Sequence, residues 1–308
     1  MPAMDGEMTA PTLITLSFAG DFECCRLLCE TADRFAPADA AHLLAVPSAD
    51  MPLFRSLAGG RRLLVPQEDL LPGWLRKLPL PSPEWRRRLR LPRRNVYVSL
   101  RGRPVRGWIA QQIMKLNAAA GAGTDTIVHL DSDTAFVRPL PAEALGANGL
   151  VRLARFPGAA DDAMHAPWHR AASTLLGLPA SEYHGADYID QFVTWRRTNV
   201  RGLLTRIGEV TGRDPIEALA GTRDFSEYIL YGVYCDRVLG LPAAGHAAAS
   251  ASLCETVWSE AEEGGIPEVG AGRYGLGIQS TIPLSPEARR RIVAEAIDRA
   301  ATAPASRA

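Results

Sequence analysis

Asp131-Ser132-Asp133 sets two carboxylates one residue apart, directly after the apolar run Thr126–Leu130 (TIVHL). Hydrophobic character resumes at Ala135-Phe136-Val137. Composition alone supplies about one Asp-x-Asp in such a chain, so the weight rests on position. In open α/β sheets, ligands bind beyond the carboxyl ends of the strands. Two carboxylates crowded there repel, and one pKa rises unless a cation neutralises them. Hard oxygen ligands of this kind suit Mn²⁺ or Mg²⁺, with positions left for substrate phosphate oxygens. The plainer alternative is a surface turn in which Ser132 and Thr134 bond the backbone.

Other residues could complete a group-transfer site. Glu227, in Phe225-Ser226-Glu227-Tyr228, is a candidate general base that would take a proton from an attacking hydroxyl. Its alternative role is an acid at a helix N-terminus, with Ser226 as the cap. Asp187 and Asp190 are candidates on the acceptor side, each with an ordinary surface alternative. Lys115, in Gly107–Ala120 (GWIAQQIMKLNAAA), could reach a phosphate, and Gln112 lies on the same helical stretch. Trp108 suits packing. Arg106 closes a segment, 86–106, that holds nine arginines and no acid. That segment reads either as a solvated excursion or as a wall whose guanidiniums face an anion.

These residues need a scaffold, and the chain supplies a regular one. Thr12–Ser17, His42–Val46 and Leu63–Val65 read as buried strands. Between them, Phe22, Cys25, Leu28, Cys29, Ala32 and Phe35 recur at helical spacing, with Asp21 placed to cap the helix. Met51–Leu57 reads as a short helix. The alternation implies a mostly parallel sheet flanked by helices. Seven prolines between 66 and 104 exclude a long helix or central strand there. Further on, Leu150–Phe156 and Gly277–Thr281 read as strands. Trp168–Leu176, Asn199–Val210, a segment opened by Asp214-Pro215, Phe225–Leu239 and 285–301 read as helices. Trp195-Arg196-Arg197 reads as a strand end with a solvated basic face.

The expectation is one domain over 12–301, with a nucleotide-sugar and metal half (12–140), a loop-rich acceptor half (141–301) and flexible tails at 1–11 and 302–308. Lys+Arg and Asp+Glu both total 34, which argues against nucleic acid as a partner. Five cysteines with no completed ligand set suit buried thiols in a reducing compartment. The N-terminus has neither a basic start nor an apolar core, and no apolar run is long enough to cross a bilayer. A cytoplasmic location follows as an expectation.

The run IVHLDSDTAFVRPL resembles the metal-binding segment of the nucleotide-diphospho-sugar transferases of GT-A fold. WIAQQIMKL and FSEYILYG resemble segments of a bacterial family of uncharacterised glycosyltransferase-like proteins. The likeness extends over roughly 12–282 in order of elements. It implies a GT-A-like fold and a metal-dependent glycosyltransferase that moves a sugar to a glycan or lipid-linked acceptor, as in polysaccharide biosynthesis. It also implies that Asp131 touches the donor's ribose or a metal-bound water, that Asp133 binds the metal, and that a later His, here His246, is a third ligand. Two other classes compete. A haloacid-dehalogenase-type phosphohydrolase also uses Asp-x-Asp after a strand, but Ala135 stands where Thr or Val is expected. A non-catalytic nucleotide-sugar or glycan-binding protein would bind without turnover.

Overall fold

The computed structural model describes residues 10–79, 88, 95–158, 164–258 and 268–302. The chain opens with β1 (Thr12–Leu16), α1 (Phe22–Phe35), β2 (Ala41–Val46), α2 (Met51–Phe54) and β3 (Arg62–Pro66). A small antiparallel sheet follows, built of β4 (Leu75–Lys77), β5 (Val96–Ser99) and β6 (Val105–Arg106). Then come α3 (Gly107–Gly121), β7 (Thr126–Leu130) and β8 (Thr134–Phe136). The second half contains α4 (Ala142–Leu145), β9 (Gly146–Ala147), β10 (Leu150–Ala154), α5 (Ala166–Leu176) and β11 (Phe192–Arg196). It continues with α6 (Arg197–Thr211), α7 (Pro215–Gly221), α8 (Glu227–Val233) and β12 (His246–Ala249). It ends with β13 (Cys254–Val257), β14 (Gly275–Ile278) and α9 (Pro286–Thr302).

The central sheet has five strands in the order β11-β7-β1-β2-β3. All its pairs are parallel except β11 on β7. β1 and β7 are buried along their whole length, as β-branched apolar strands covered on both faces should be. The chain runs outward from β1 through β2 to β3, then returns to lay β7 on the other side of β1. Strand order therefore reverses between β1 and β7, and a crevice opens beyond their carboxyl ends.

One face of the sheet packs on α3, α5, α6 and α8 around Ile109, Ile113, Trp195, Leu203 and Ile229. The other face buries Leu13, Val128, Leu130 and Phe192 against Leu28, Ala32 and Phe136. β13, β14 and β8 form a further sheet beside it, with Leu276, Ile278 and Val293 in its core. The observed class is α/β with a mostly parallel central sheet flanked by helices. No helix among the described residues is long and apolar enough to cross a membrane.

Several local expectations need correction. Asp21 stands at the start of α1, but its side chain makes no capping bond; it accepts instead from Ser132 Oγ at 3.3 Å. The helix expected over Phe225–Leu239 divides, because α8 ends at Val233 and Tyr234–Leu239 form a wider π turn. That turn carries Asp236 to Tyr188 Oη (2.8 Å) and Arg155 Nε (3.0 Å). The basic end of β11 is not merely solvated: Arg196 Nε donates to Asp125 at 2.8 Å, and Arg197 Nη1 donates to the Ala122 carbonyl at 2.9 Å. Five of the nine arginines of the arginine-rich stretch, Arg86, Arg87, Arg90, Arg93 and Arg94, lie outside the described residues.

Candidate active site at the carboxyl edge of the sheet

β7 alternates its side chains across the sheet, so His129 and Asp131 face α3. α3 presents Trp108, Gln112 and Lys115 on one stripe, at i, i+4 and i+7. Lys115 Nζ meets Asp131 Oδ1 at 3.1 Å, Glu227 Oε1 at 3.2 Å and Tyr228 Oη at 2.7 Å. Lys115 and Glu227 are both buried, while Asp131 is about one-third exposed at its side chain. Burial opposes the ammonium charge, but Asp131, Tyr228 and Glu227 together outweigh it and hold Lys115 well above its ordinary pKa.

This geometry changes several expected roles. Lys115 spends its three donors inside the protein and has none left for a phosphate. Glu227 is buried against that ammonium, with its own N–H donating to Gln112 Oε1 at 2.8 Å, so it is not presented to an acceptor. Gln112 thereby holds the start of α8. Arg106 lies nine residues before Lys115, about 13 Å along the helix. Its guanidinium is bonded to the Arg223 carbonyl and to Asp224. Three residues expected to hold a cofactor instead fasten α3 to the segment 223–228. Trp108 packs on Trp168, ring centroids 5.4 Å apart, while staying 38 % exposed.

Asp133 points to the opposite face, toward α1 and α9. The Ser280 N–H donates to its Oδ2 at 2.9 Å. Burial, joined by the charges of Asp131 and Asp21, pushes its pKa up to about 6. The same cause, burial, raises Asp21. Arg289 stands beside both acids and is itself fixed by donating to the carbonyls of Ile278 and Gln279. Asp21, Cys24, Ser280 and Arg289 line a cleft of about 190 Å³. The turn is also a well-made one: the N–H and hydroxyl of Thr134 both donate to the Asp131 carbonyl, at 3.1 and 2.7 Å. The turn expected here is therefore present through Thr134, whereas Ser132 bonds the Asp21 side chain and not the backbone.

Asp190 lies close by. Phe192 pairs with Leu130, so Asp190 stands level with Ser132. Its Oδ1 accepts from Ser252 Oγ (2.6 Å) and from the Gln191 N–H (2.8 Å), whereas Oδ2 is buried without a hydrogen-bond partner. Burial raises its pKa against the pull of Ser252, Gln191, Arg152 and Arg273. Arg152 Nη2 likewise lacks a partner. Asp187 is otherwise engaged: it bonds His165 and accepts the N–H groups of Tyr188 and Ile189.

His246 is not at this edge. Its Nε2 is 2.7 Å from Tyr231 Oη and its Nδ1 is 2.9 Å from the Val151 carbonyl, so both ring nitrogens are taken. Tyr231 Oη also accepts from the Arg196 N–H, and Arg196 pairs with Thr126. His246 is therefore level with the start of β7, about 16 Å from Asp131 at five strand residues. Burial lowers its pKa to about 4 and keeps it neutral.

Of the three expected metal ligands, one is remote, one is bonded to an ammonium, and one faces the far side of the turn. Among the described residues, no three His, Cys, Asp or Glu side chains are grouped to hold a metal ion. The side chains present do not fit a resident, fully ligated divalent ion. The sequence reading overlooked Asp21, Ser280 and Arg289. Asp21 carried a signal, an acid one loop beyond β1, but Ser280 and Arg289 are brought in from 147 residues or more away in sequence.

The fold and the edge together define an α/β protein with acids gathered beyond the carboxyl ends of β1 and β7, where strand order reverses. The chain belongs to a family of unknown function, DUF6492, whose profile matches residues 10–258. No curated protein matches it.

Proposed function

We propose that this protein is a glycosyltransferase that takes a sugar from a nucleotide-diphosphate donor at the crevice between β1 and β7. The observation that supports the reading most is the placing of Asp131-Ser132-Asp133 beside the Asp21–Arg289 cleft, where ligands of open α/β sheets bind. Arg289 brings positive charge to the cleft wall, where a leaving diphosphate needs it. Asp190 is the acceptor-side base in this reading. An acceptor hydroxyl attacks the anomeric carbon, the bond to the diphosphate oxygen breaks with its electron pair, and the hydroxyl proton passes to Asp190. The unpartnered Oδ2 of Asp190 and its raised pKa support that role, which requires the side chains that bury this oxygen to move aside for the acceptor. The GT-A topology, a cytoplasmic place of work and a glycan or lipid-linked acceptor belong to the same proposal.

Thermal unfolding with UDP, GDP, CDP and ADP, each with Mn²⁺ and with EDTA, tests it. A ligand at a hundred times its dissociation constant adds about 2.7 kcal/mol, a melting shift of several degrees. One of the four should raise the melting temperature, and Asp133→Ala should remove the rise. If none shifts it under either condition, the donor reading falls.

A further inference from the structure

We infer that the Lys115 ammonium is the built-in counter-ion of Asp131, standing where this acid would otherwise draw a divalent cation, so that the bare protein binds Mn²⁺ weakly. The inference stands on the ion cluster and holds whether or not a nucleotide is bound.

The cluster closes on itself. An ammonium has three N–H donors and no acceptor. Three oxygens meet them at 2.7, 3.1 and 3.2 Å, from Tyr228, Asp131 and Glu227. The ammonium also lies 4.5 Å from the centre of the Tyr228 ring, a second electrostatic contact. Burying a charge is costly unless it is paired and bonded, and here the pairing is complete. Nor is the lysine free to swing away. Gln112, one turn earlier on α3, grips the Glu227 N–H and fixes the acid that Lys115 faces. The same helix thus supplies the cation and holds one of its anions.

The consequences for a metal follow from charge and geometry. A divalent ion at Asp131 would sit beside a fixed ammonium in a half-buried place, where like charges repel strongly. Among the described residues it would also find neither of the other expected ligands, because His246 is level with the other end of β7 and Asp133 turns toward Ser280 and Arg289. Glu227 offsets part of the ammonium's charge, and the remaining groups that face Lys115 are neutral. His129 lies under it, edge-on to Trp195, neutral because burial and the lysine both disfavour its protonation. Tyr228 is kept protonated by burial.

Removing the ammonium together with its buried partner Glu227 leaves the local net charge unchanged and frees Asp131 Oδ1, so it tests whether the ammonium's place on that oxygen keeps the cation out. Mn²⁺ affinity is measured by titration calorimetry and by the electron paramagnetic resonance signal of free Mn²⁺, on the full chain without nucleotide. K115M/E227Q, or K115Q/E227Q if methionine does not pack, should bind Mn²⁺ at least tenfold more tightly than wild type. Adding D131N to that double variant should return the affinity to the wild-type level. K115R, which keeps the charge, should bind Mn²⁺ as wild type does. If the neutral variants bind no more tightly than wild type, the inference is overturned. It is equally overturned if their gain survives D131N. Loss of nucleotide binding alone would touch only the donor reading.

Discussion

The two ends of β7 carry similar chemistry and treat it in opposite ways. At the amino end, Asp125 Oδ2 accepts from Arg196 Nε at 2.8 Å, and Oδ1 accepts from the N–H and hydroxyl of Thr198 at 2.9 and 2.7 Å. Burial works against its charge, but those Thr198 and Arg196 bonds win and hold its pKa below the ordinary value. His246, nearby, has both nitrogens bonded. At the carboxyl end, Asp133 has one backbone N–H on Oδ2 and two acids for neighbours, and Asp190 keeps an oxygen with no partner. The difference lies in the supply of donors, not in the residue types. An end that satisfies every acid serves stability. An end that leaves acids raised beside a cleft is where a ligand would complete the bonding.

The largest effect that would sharpen this contrast is expected from Asp133→Asn. The folded-state pKa is about 6 against an ordinary 3.8. The folded protein therefore holds that proton more tightly than the unfolded chain does. Its contribution is complete below pH 4 and lost as the pH rises through 6. The difference corresponds to about 3 kcal/mol. In EDTA at pH 7.5, Asp133→Asn should be more stable than wild type by an amount approaching that figure, and the gain should vanish near pH 4. Urea unfolding at both pH values checks it; a destabilised variant at pH 7.5 would remove the contrast.

Asp125→Asn should do the reverse. It removes acceptors from the part-buried bond of Arg196 and the exposed bonds of Thr198 and should cost roughly 1–3 kcal/mol. The Asp125 contribution is present above the ordinary carboxylate pKa and is lost as the pH falls through the lower folded value. The deficit should therefore be full at neutral pH and shrink only in strong acid. Nucleotide-dependent melting shifts should be unchanged, and their loss would mean the two ends are not independent. The smallest effect is expected from Arg106→Ala. Its pair with Asp224 is half-exposed, and exposed pairs contribute less than about 1 kcal/mol. A melting temperature within a few degrees of wild type is the expected result; a large drop would make Arg106 a principal clasp of α8.

Much of the scaffold was legible because it is written in local pattern. Short apolar runs marked β1, β2, β3 and β7, β-branched in β1 and β7, and helical spacing marked α1 and α3. β12, β13 and the small sheet of β4 to β6 were missed. They are only two to four residues long, too short for a period-two pattern to stand out. Asp131-Ser132-Asp133 stood out among many acids because it follows the buried run Thr126–Leu130 directly. The same local reasoning failed for Lys115, Glu227 and His246. It treats a polar side chain as free until a partner is known, and their partners come from other elements.

The sequence by itself determined that an acid pair follows a buried strand in an α/β chain, since strand period and turn chemistry are properties of neighbouring residues. Tertiary structure alone decided which acids are satisfied. It set Lys115 against Asp131 and Glu227 across 16 and 112 residues, sent His246 to the far end of β7, and left Asp190 with an unbonded oxygen. Charge in a protein interior is governed by the few groups within bonding distance, and only folding brings those groups together.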